Sequence, residues 1–399
     1  MILEEQLKII TEEQAVAHKL ERYVKRCTGL QNASNRILVV SGVRRCGKST
    51  LLQHNFGLQK NSININFEDP RLEGFELNDF YKIEKIANQT GKDIFIFDEI
   101  QNIPEWEKYA RSAHDRGKKI YITGSNAGLL SKELGTRLTG RYKQVELFPF
   151  NYKEYLEYTD KKANKNTYKE FLFSGGFPEY LKEQNPEYLR TLLKDIVIRD
   201  IAVRRNIRNE HLLIRLAVFL LSNIGKEFSY NNITKMLQIK SVRSTIDYCD
   251  YLQESYLVEF IPRFSFSVKQ QIGNPKKVYC IDTGMAKANT LSLSDDLGRM
   301  FENSVYLQIR NSTKDIRYYK DDKSECDFIV KNNNQQLTAI QVCWKLTPDN
   351  LEREIKGIKN ALKTTKATKG VIITFNQEDN LAEIPVIPVW KWALKDKIL

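Results

Sequence analysis

The feature that most constrains the fold is a glycine-bracketed basic loop between an apolar run and a helix-forming run. Residues 36–41 read Arg-Ile-Leu-Val-Val-Ser, which predicts a buried strand, and Gly42-Val-Arg-Arg-Cys-Gly-Lys-Ser-Thr follows at once. This is the full Gly-x4-Gly-Lys-Ser pattern, in the strand-to-helix context that it requires. Gly42 and Gly47 allow backbone angles closed to other residues, so consecutive amide N–H groups can turn inward. The pattern predicts an α/β fold with a loop that cradles phosphate groups.

The side chains of this loop complete a site for a nucleotide. Lys48 is expected to reach the β- and γ-phosphates of ATP, and Ser49 to offer its hydroxyl to Mg²⁺. Arg44 and Arg45 could serve the nucleotide or a nucleic acid, and simple solvent exposure is an equal alternative. The residues that we assign to nucleotide binding are Gly42, Arg44, Arg45, Cys46, Gly47, Lys48, Ser49 and Thr50.

A second motif ends another apolar run. Residues 93–101 read Asp-Ile-Phe-Ile-Phe-Asp-Glu-Ile-Gln, so a short strand ends in two carboxylates. Asp98 is expected to hold Mg²⁺, directly or through water, and Glu99 to polarise the water that attacks the γ-phosphate. A further strand-like segment, residues 62–67, separates the two motifs in sequence. This is the arrangement of the NTPase division that carries a catalytic glutamate.

Polar residues near two later strands are further candidates for catalysis. A strand-like run over residues 119–123 leads into Gly-Ser-Asn, where Ser125 or Asn126 could sense the γ-phosphate; an ordinary turn is the alternative. Arg141 stands just before the last predicted strand of this region and could meet the charge of the transition state. A structural salt bridge is an equal interpretation of Arg141. The predicted catalytic set is Lys48, Glu99, Ser125, Asn126 and Arg141.

These motifs together resemble the AAA+ ATPase domain of a widespread prokaryotic ATP-binding family. The resemblance rests on the loop above and on Phe97-Asp-Glu-Ile-Gln, Pro104-x-Trp106, Ile122-Thr-Gly-Ser-Asn, Gly140-Arg and Phe148-Pro-Phe-x-x-x-Glu154-Tyr. It implies a five-stranded parallel sheet with helices on both faces, and ATP as the ligand. In that family the ATPase domain is joined to a C-terminal region described only as a domain of unknown function. The resemblance therefore supplies no cellular role.

The middle of the chain has the proportions of a helix-turn-helix with a wing. Lys240, Arg243 and Ser244 would open the recognition helix, where contacts with DNA bases or phosphates are made. Residues 191–280 carry 14 lysines and arginines against 8 aspartates and glutamates, out of a net charge of +12 for the chain. This excess favours an anionic partner, although a solvated basic face explains it equally well, and winged helices also pack against proteins.

The last third has a predicted helix over residues 299–308, strand-like runs over 316–319, 325–330 and 337–345, a helix over 350–363 and a further strand over 370–375. That order resembles the restriction-endonuclease-like nucleases, in which a helix glutamate, a strand aspartate and a Glu-x-Lys triplet bind metal and activate water. Glu302 and Asp327 occupy matching positions, but the triplet reads Gln341-Val-Cys. Glutamine is a weaker ligand for Mg²⁺ than a carboxylate, and cysteine cannot replace the lysine. Lys345 would share a strand face with Cys343 and is a conceivable substitute. We expect a degenerate site of Glu302, Asp327, Gln341 and Lys345, without active cleavage.

Length and composition set the organisation of the chain. Its 399 residues predict several domains: an AAA+ P-loop ATPase domain with an N-terminal helix (1–150), a helical and winged-helix region (151–285) and a degenerate nuclease-like α/β domain (286–399). No apolar run approaches the roughly 18 to 20 residues that a membrane span needs. The six scattered cysteines lack Cys-x-x-Cys spacing, which favours a cytoplasmic protein without a membrane partner.

The predicted function is Mg²⁺-dependent ATP hydrolysis that drives a molecular switch or motor. Two alternatives stay open: a DNA-binding module regulated by nucleotide with slow turnover, and a metal-dependent nuclease. DNA is a candidate partner, and a homo-oligomer is a further one. The sequence leaves open whether Arg141 acts within its own subunit or on a neighbour.

Overall fold

The computed structural model of the chain describes residues 2–16, 23–30, 35–126, 138, 140–290, 296–332, 335–381 and 383–395. The chain divides into two compact units, Met1–Phe148 with Glu254–Tyr256, and Pro149–Gln253 with Leu257–Leu399. Apart from residues 254–256, the second and third of the domains expected from the sequence therefore fall within one compact unit. None of the helices in the described ranges is both long enough and apolar enough to cross a lipid bilayer.

The first unit is a parallel sheet with flanking helices. Its strands are β1 (Ile37–Ser41), β2 (Ser62–Asn66), β3 (Ile94–Asp98), β4 (Lys119–Gly124) and β5 (Tyr142–Glu146). Its α-helices are α1 (Glu4–Val16), α2 (Lys48–Leu52), α3 (Leu77–Gln89) and α4 (Trp106–Asp115), and a π-helical turn, Gln53–Gly57, continues α2.

The strand order of this sheet is β2-β3-β4-β1-β5, and every neighbouring pair is parallel. The five-stranded parallel sheet expected from the family resemblance is confirmed. Strand β4 lies between β1 and β3, so the phosphate-loop strand and the Asp98 strand are separated by one strand in space. Because the strands are parallel, their carboxyl ends meet at one edge, which is where ligands bind in sheets of this type.

Aromatic side chains fill the core of the first unit. Phe80 of α3 stacks on Tyr109 of α4 with ring centroids 4.5 Å apart, and its edge meets Phe97 of β3. All three residues are at most 1% exposed. Burying a side chain of this size contributes about 1.5–3 kcal/mol, so this cluster fixes α3 and α4 against the sheet that carries the loops.

The first unit also contains three residues from far along the chain. Tyr256 has a left-handed backbone, with φ of 63°, and is buried. Its hydroxyl donates a hydrogen bond of 2.8 Å to Oγ of Ser41, the last residue of β1. Gln144 of β5 also donates to this serine oxygen, at 2.9 Å. Ser41 is thus held from two sides immediately before the loop.

The second unit begins with helices and continues into two sheets. Its α-helices are α5 (Tyr152–Thr159), α6 (Lys165–Ser174), α7 (Pro178–Glu183), α8 (Pro186–Asp195), α9 (Glu210–Leu221), α10 (Tyr230–Leu237), α11 (Val242–Glu254), α12 (Val268–Gly273), α13 (Thr283–Asn289), α14 (Leu297–Arg310), α15 (Pro348–Thr365) and α16 (Val389–Trp392). Its strands are β6 (Glu227–Phe228), β7 (Val258–Pro262), β8 (Lys276–Cys280), β9 (Ile316–Lys320), β10 (Glu325–Lys331), β11 (Leu337–Cys343), β12 (Lys369–Thr374), β13 (Asp379–Leu381) and β14 (Ile384–Pro388).

The smaller sheet of this unit belongs to the middle segment. Its strand order is β6-β8-β7, and both pairs are antiparallel. Helices α9, α10 and α11 precede β7 in the chain. Helix α12 lies between β7 and β8, which the sequence analysis did not anticipate. The winged-helix assignment stays a prediction.

The larger sheet has the order β13-β14-β12-β11-β10-β9. Strands β9, β10 and β11 run antiparallel to one another, whereas β12 and β14 continue parallel to β11. Helix α15 packs on this sheet through Ile358 and Ala361, which are fully buried. A nuclease-like fold for this segment stays a prediction.

Asp282 fixes a tight turn in the second unit. Its carboxylate accepts hydrogen bonds from the backbone N–H of Met285, at 2.8 Å, and of Gly176, at 2.6 Å. Gly175 has φ of 69°, and a Cβ there would lie 2.1 Å from the Asp282 carboxylate. Burial raises the pKa of Asp282 to about 6, although the backbone donors oppose that shift. The turn therefore depends on a glycine and a buried acid together.

Candidate functional site

The glycine loop is shaped by one close approach and by two residues with a left-handed backbone, Arg45 and Gly47. A Cβ on Gly42 would lie 2.1 Å from the carbonyl oxygen of Leu147, so only glycine fits there. Gly47 has φ of 98° and immediately precedes α2, which starts at Lys48 and includes Ser49 and Thr50. The loop thus turns from β1 into α2 with its amides at the carboxyl edge of the sheet.

Lys48 lies over the loop and is only 4% exposed. Its ammonium donates hydrogen bonds to the carbonyl oxygens of Gly42, at 3.2 Å, and Val43, at 3.1 Å. It also lies 3.4 Å from the Oε1 atom of Glu99. The structure therefore brings the loop cation and the predicted catalytic carboxylate together.

Asp98 lies at the end of β3 among oxygen donors. The hydroxyl of Thr123 donates a hydrogen bond to its carboxylate. Burial raises the pKa of Asp98, and the negative charge of Glu99 raises it further, whereas the Thr123 and Ser49 hydroxyls lower it. A half-buried carboxylate near a serine hydroxyl is the hard-oxygen set that Mg²⁺ prefers. Ser49 and Asp98 therefore fit the metal that the sequence predicts.

Glu99 follows in a left-handed backbone conformation, with φ of 51°. Its backbone N–H donates to Oγ1 of Thr123 at 3.0 Å, and the side chain of Gln101 donates to its carboxylate. Burial opposes ionisation of Glu99, but the nearby Lys48 ammonium outweighs it, so the pKa of Glu99 is lowered. A charged carboxylate at this position can accept a proton or orient water.

Ser125 and Asn126 lie just past β4 and are buried. The Ser125 hydroxyl accepts a hydrogen bond from the Gln101 side chain at 3.4 Å, and Gln101 also donates to Glu99. The structure thus connects Ser125, through Gln101, to the predicted catalytic carboxylate. Whether it has this role stays a prediction.

The outer side of the loop is held by residues with different roles. Arg44 is buried and pairs with Glu68 at 2.7 Å, whereas Arg45 is exposed with φ of 66°. Cys46 is buried, and its thiol donates to the carbonyl oxygen of Leu147 at 3.3 Å. Burial raises the pKa of this thiol, which therefore stays neutral. Of the two arginines, only Arg45 points away from the protein interior.

Arg141 is not brought to the loop of its own chain. Its carbonyl oxygen accepts from the N–H of Ile37 at 2.8 Å, at the amino end of β1, and its side chain pairs with Asp115 at 3.0 Å. The loop follows the opposite end of β1, roughly 13 Å away at the rise of a strand. The structure therefore contains the salt bridge that was the alternative interpretation of Arg141.

Three residues of this site were missed by the sequence analysis. The Thr123 hydroxyl hydrogen-bonds to the Asp98 carboxylate and to the backbone N–H of Glu99. The Gln101 side chain donates to both Glu99 and Ser125. Arg26 donates to the carbonyl oxygen of Cys46 at 3.0 Å and to that of Phe148, and so fixes the loop from outside. A polar residue in the otherwise apolar β4 was the available signal for Thr123; no local signal marks Arg26.

The predicted DNA-contacting residues lie around the start of α11. Lys240 is exposed, and the Arg243 side chain is 84% exposed while pairing with Asp247 at 3.2 Å. Ser244 is half-buried, and its backbone N–H donates to the Ser241 side chain. Their exposure suits contact with a partner, but a role in DNA binding stays a prediction.

The predicted nuclease-like residues are only partly brought together. Glu302 of α14 and Asp327 of β10 lie on either side of one ammonium group, that of Lys277 of β8. Gln341 lies on β11 and donates to Glu354 at 2.6 Å. The expectation that Lys345 shares a strand face with Cys343 is wrong, because β11 ends at Cys343 and Lys345 is exposed beyond it.

Comparisons with known proteins agree with the first unit and leave the second without a function. Residues 34–156 match the family model described as "AAA domain", and residues 165–296 and 297–392 match two models described as "Domain of unknown function", DUF8612 and DUF4143. The "Uncharacterized protein MJ1544" of Methanocaldococcus jannaschii is 35% identical over 94% of this chain and 92% of its own length. An "Uncharacterized protein" of Haemophilus influenzae is 28% identical over 90% of this chain and 94% of its own. This chain therefore belongs to the same family as the Methanocaldococcus protein, an AAA-type P-loop ATPase family.

Proposed function

We propose that the chain binds ATP with Mg²⁺ in the first unit and hydrolyses it. The observation that carries this proposal is the convergence of Lys48, Ser49, Asp98 and Glu99 at the carboxyl edge of the parallel sheet. The ammonium of Lys48 lies 3.4 Å from Glu99, and the Ser49 side chain is close enough to Asp98 to lower its pKa. Lys48 provides a positive charge for the phosphate groups of ATP. Ser49 and Asp98 provide two ligands for Mg²⁺, and Glu99 provides a general base.

Each group has a distinct role in the proposed reaction. Loop amides and the Lys48 ammonium bind the phosphate oxygens of ATP, and leave the Glu99 carboxylate free to accept a hydrogen bond from water. Ser49 and Asp98 hold Mg²⁺, which neutralises charge on the β- and γ-phosphates. Ser125, through Gln101, orients Glu99 so that its carboxylate faces the γ-phosphate.

Arg141 can contribute to this reaction only in a neighbouring copy. It lies at the opposite end of β1 from the loop and is already paired with Asp115. An arginine at that edge of one subunit can stabilise transition-state charge in the site of another, if the copies assemble in a ring or filament. The proposal therefore includes a homo-oligomer whose ATPase sites are shared.

Turnover measurements on single variants test the ATPase proposal. Purified wild type with Mg²⁺ and ATP is expected to release phosphate, and Glu99→Gln is expected to lower kcat by about 100-fold or more while still binding ATP. Lys48→Ala should lose binding as well. The matched control is Glu73→Gln, which changes an exposed glutamate of the same unit and should leave kcat unaltered. Equal rates for wild type and Glu99→Gln would refute the proposal.

A second proposed function is duplex DNA binding by the middle segment. It is supported by the exposed Lys240 and Arg243 and by the segment from Arg263 to Lys276, which contains no aspartate or glutamate. Affinity for DNA should fall steeply with salt, and the double replacement of Lys240 and Arg243 by alanine should lower both affinity and salt slope. The control is the double replacement of Lys161 and Lys165 by alanine, because these lysines lie well before α11 in the chain, and it should leave the affinity for DNA unchanged. Binding that survives the first double replacement would exclude this surface.

A further inference from the structure

A single buried lysine joins three carboxylates in the second unit. Lys277 of β8 is 3% exposed, and its ammonium lies 2.7 Å from Glu325, 3.1 Å from Glu302 and 3.3 Å from Asp327. The hydroxyl of Tyr279 donates to the same Glu302 oxygen at 2.6 Å. Burial opposes the charge of Lys277, but its carboxylate neighbours outweigh burial and raise its pKa. The lysine therefore remains an ammonium ion.

The carboxylates come from two elements that Lys277 does not belong to. Glu302 is on α14, and both Glu325 and Asp327 are on β10, whereas Lys277 is on the small antiparallel sheet. Buried carboxylates need a countercharge, because an unpaired ion in a low-dielectric interior is strongly unfavourable. One ammonium thus holds the small sheet, the helix and the large sheet of this unit at a common point.

The resemblance to nucleases implies a divalent cation at this place, and the donor set does not fit one. Asp327 Oδ1 faces Lys277, and Oδ2 accepts from the N–H of Val342 at 2.9 Å. Glu302 Oε1 is shared by Lys277 and Tyr279. Within the described ranges, no three His, Cys, Asp or Glu residues are grouped so as to hold a metal ion. Both oxygens of Asp327 and Oε1 of Glu302, which would ligate a metal, already accept from protein donors.

We propose that the ammonium of Lys277 takes the place of the divalent cation, so that this cluster is a metal-independent clasp and not a nuclease centre. A lysine fixed on β8 loses no translational freedom in reaching the carboxylates, whereas a dissolved metal ion does. The ammonium supplies a single positive charge and three donors, which matches the three carboxylates that surround it. Lys277, and not the predicted Lys345, is the cation of this site.

The carboxylate cluster can be reached from solvent, so restricted access would not prevent a metal ion from binding. Asp327 and Gln341 line a cavity of about 430 Å³ together with Glu354 and Arg353. A hydrated Mn²⁺ ion can therefore reach the cluster from solvent. Lys277 is the cation that competes with a metal ion there, and removal of the lysine side chain should open the site.

Electron paramagnetic resonance of Mn²⁺ with the full chain, without nucleotide, tests the proposal. All proteins carry Asp98→Asn, so that the ATPase site contributes equally little. With Lys277 intact, Asp327→Asn should leave the bound Mn²⁺ unchanged. Lys277→Ala should bind an additional Mn²⁺ that Lys277→Ala with Asp327→Asn does not bind. Mn²⁺ should also raise the melting temperature of the Lys277→Ala variant by about 2 °C or more, but not that of the variant that also carries Asp327→Asn.

Two results would overturn the proposal. The first is a Mn²⁺ site with Lys277 intact that Asp327→Asn removes, or cleavage of DNA with Mn²⁺ that Asp327→Asn abolishes. The second is a folded Lys277→Ala variant that gains no Mn²⁺. If Lys277→Ala does not fold, the comparison of Asp327→Asn with its parent still decides, because asparagine keeps the size and the acceptor oxygen of aspartate.

Discussion

Removal of one hydroxyl should separate catalysis from nucleotide binding. Thr123 is fully buried, and its Oγ1 atom donates to Asp98 while accepting from the backbone N–H of Glu99. Thr123→Val keeps the shape of the side chain and deletes both hydrogen bonds. Since Glu99 has a left-handed backbone that this N–H bond helps to hold, its carboxylate should lose its orientation.

The expected size of the effect follows from the kind of bond that is lost. A hydrogen bond to a charged group contributes about 1.5–3 kcal/mol, and one such contribution expressed in the transition state lowers kcat about 10- to 100-fold. KM for ATP should change little, because Lys48 and the loop amides bind the phosphates. The free energy of unfolding should also fall by about 1–3 kcal/mol, since the N–H of Glu99 is left unpaired in the interior.

Steady-state kinetics and thermal unfolding check this reasoning, with Thr123→Ser as the matched variant. Serine restores the hydroxyl without the methyl group, so kcat should return to within a few fold of wild type. The reasoning is refuted if Thr123→Val retains wild-type kcat, or if Thr123→Ser is as impaired as Thr123→Val.

Four further predictions concern protons, a turn and a neighbouring subunit. Because the pKa of Asp98 is raised, protons compete with Mg²⁺ there, and the Mg²⁺ concentration for half-maximal activity should rise as the pH is lowered; a concentration that is independent of pH would contradict this. Asp282 has its pKa raised from 3.8 to about 6, so the folded state binds the proton more tightly and stability falls by about 3 kcal/mol as pH rises through that interval; Asp282→Asn should remove this part of the slope in urea titrations. Gly175→Ala should unfold at lower urea than wild type, since its Cβ would meet Asp282 at 2.1 Å; equal midpoints would contradict the clash. Finally, Arg141→Ala and Glu99→Gln should each be inactive alone but recover part of the activity when mixed, and no recovery would exclude action on a neighbour.

The sequence predicts the local parts of the ATPase site and not the contacts between distant segments. The strand, loop and helix around Gly42 and the strand that ends in Asp98 are contiguous, so spacing and apolar patterning identify them. Thr123 and Arg26 act through partners 25 and 20 residues away, respectively, and pairing at that range depends on strand order. Arg141 immediately precedes β5, and this position in the sequence favours a catalytic role. In a parallel sheet, however, the start of β5 lies at the edge opposite the carboxyl ends of the strands, where the glycine loop lies.

The C-terminal site shows the same division. Glu302 and Asp327 were identified from the order of helix and strands, and both lie at the cluster. The sequence predicts that Lys345, on the strand of Gln341 and Cys343, is the lysine of this site. Strand β11 ends at Cys343, two residues before Lys345. Lys277 lies 25 residues before Glu302 and 50 before Asp327, and no spacing rule connects them. Only the approach of β8 to β10 identifies it.

The return of residues 254–256 to the first unit limits how the ATPase region can be isolated. Tyr256 bonds to the serine that immediately precedes the glycine loop, yet it is encoded more than a hundred codons after the last strand of that sheet. A gene fragment that stops at codon 148 would therefore yield a protein whose Ser41 lacks this buried phenol. A minimal ATPase for crystallisation or kinetics should therefore retain the whole chain, or join residues 254–256 to the first unit through a linker.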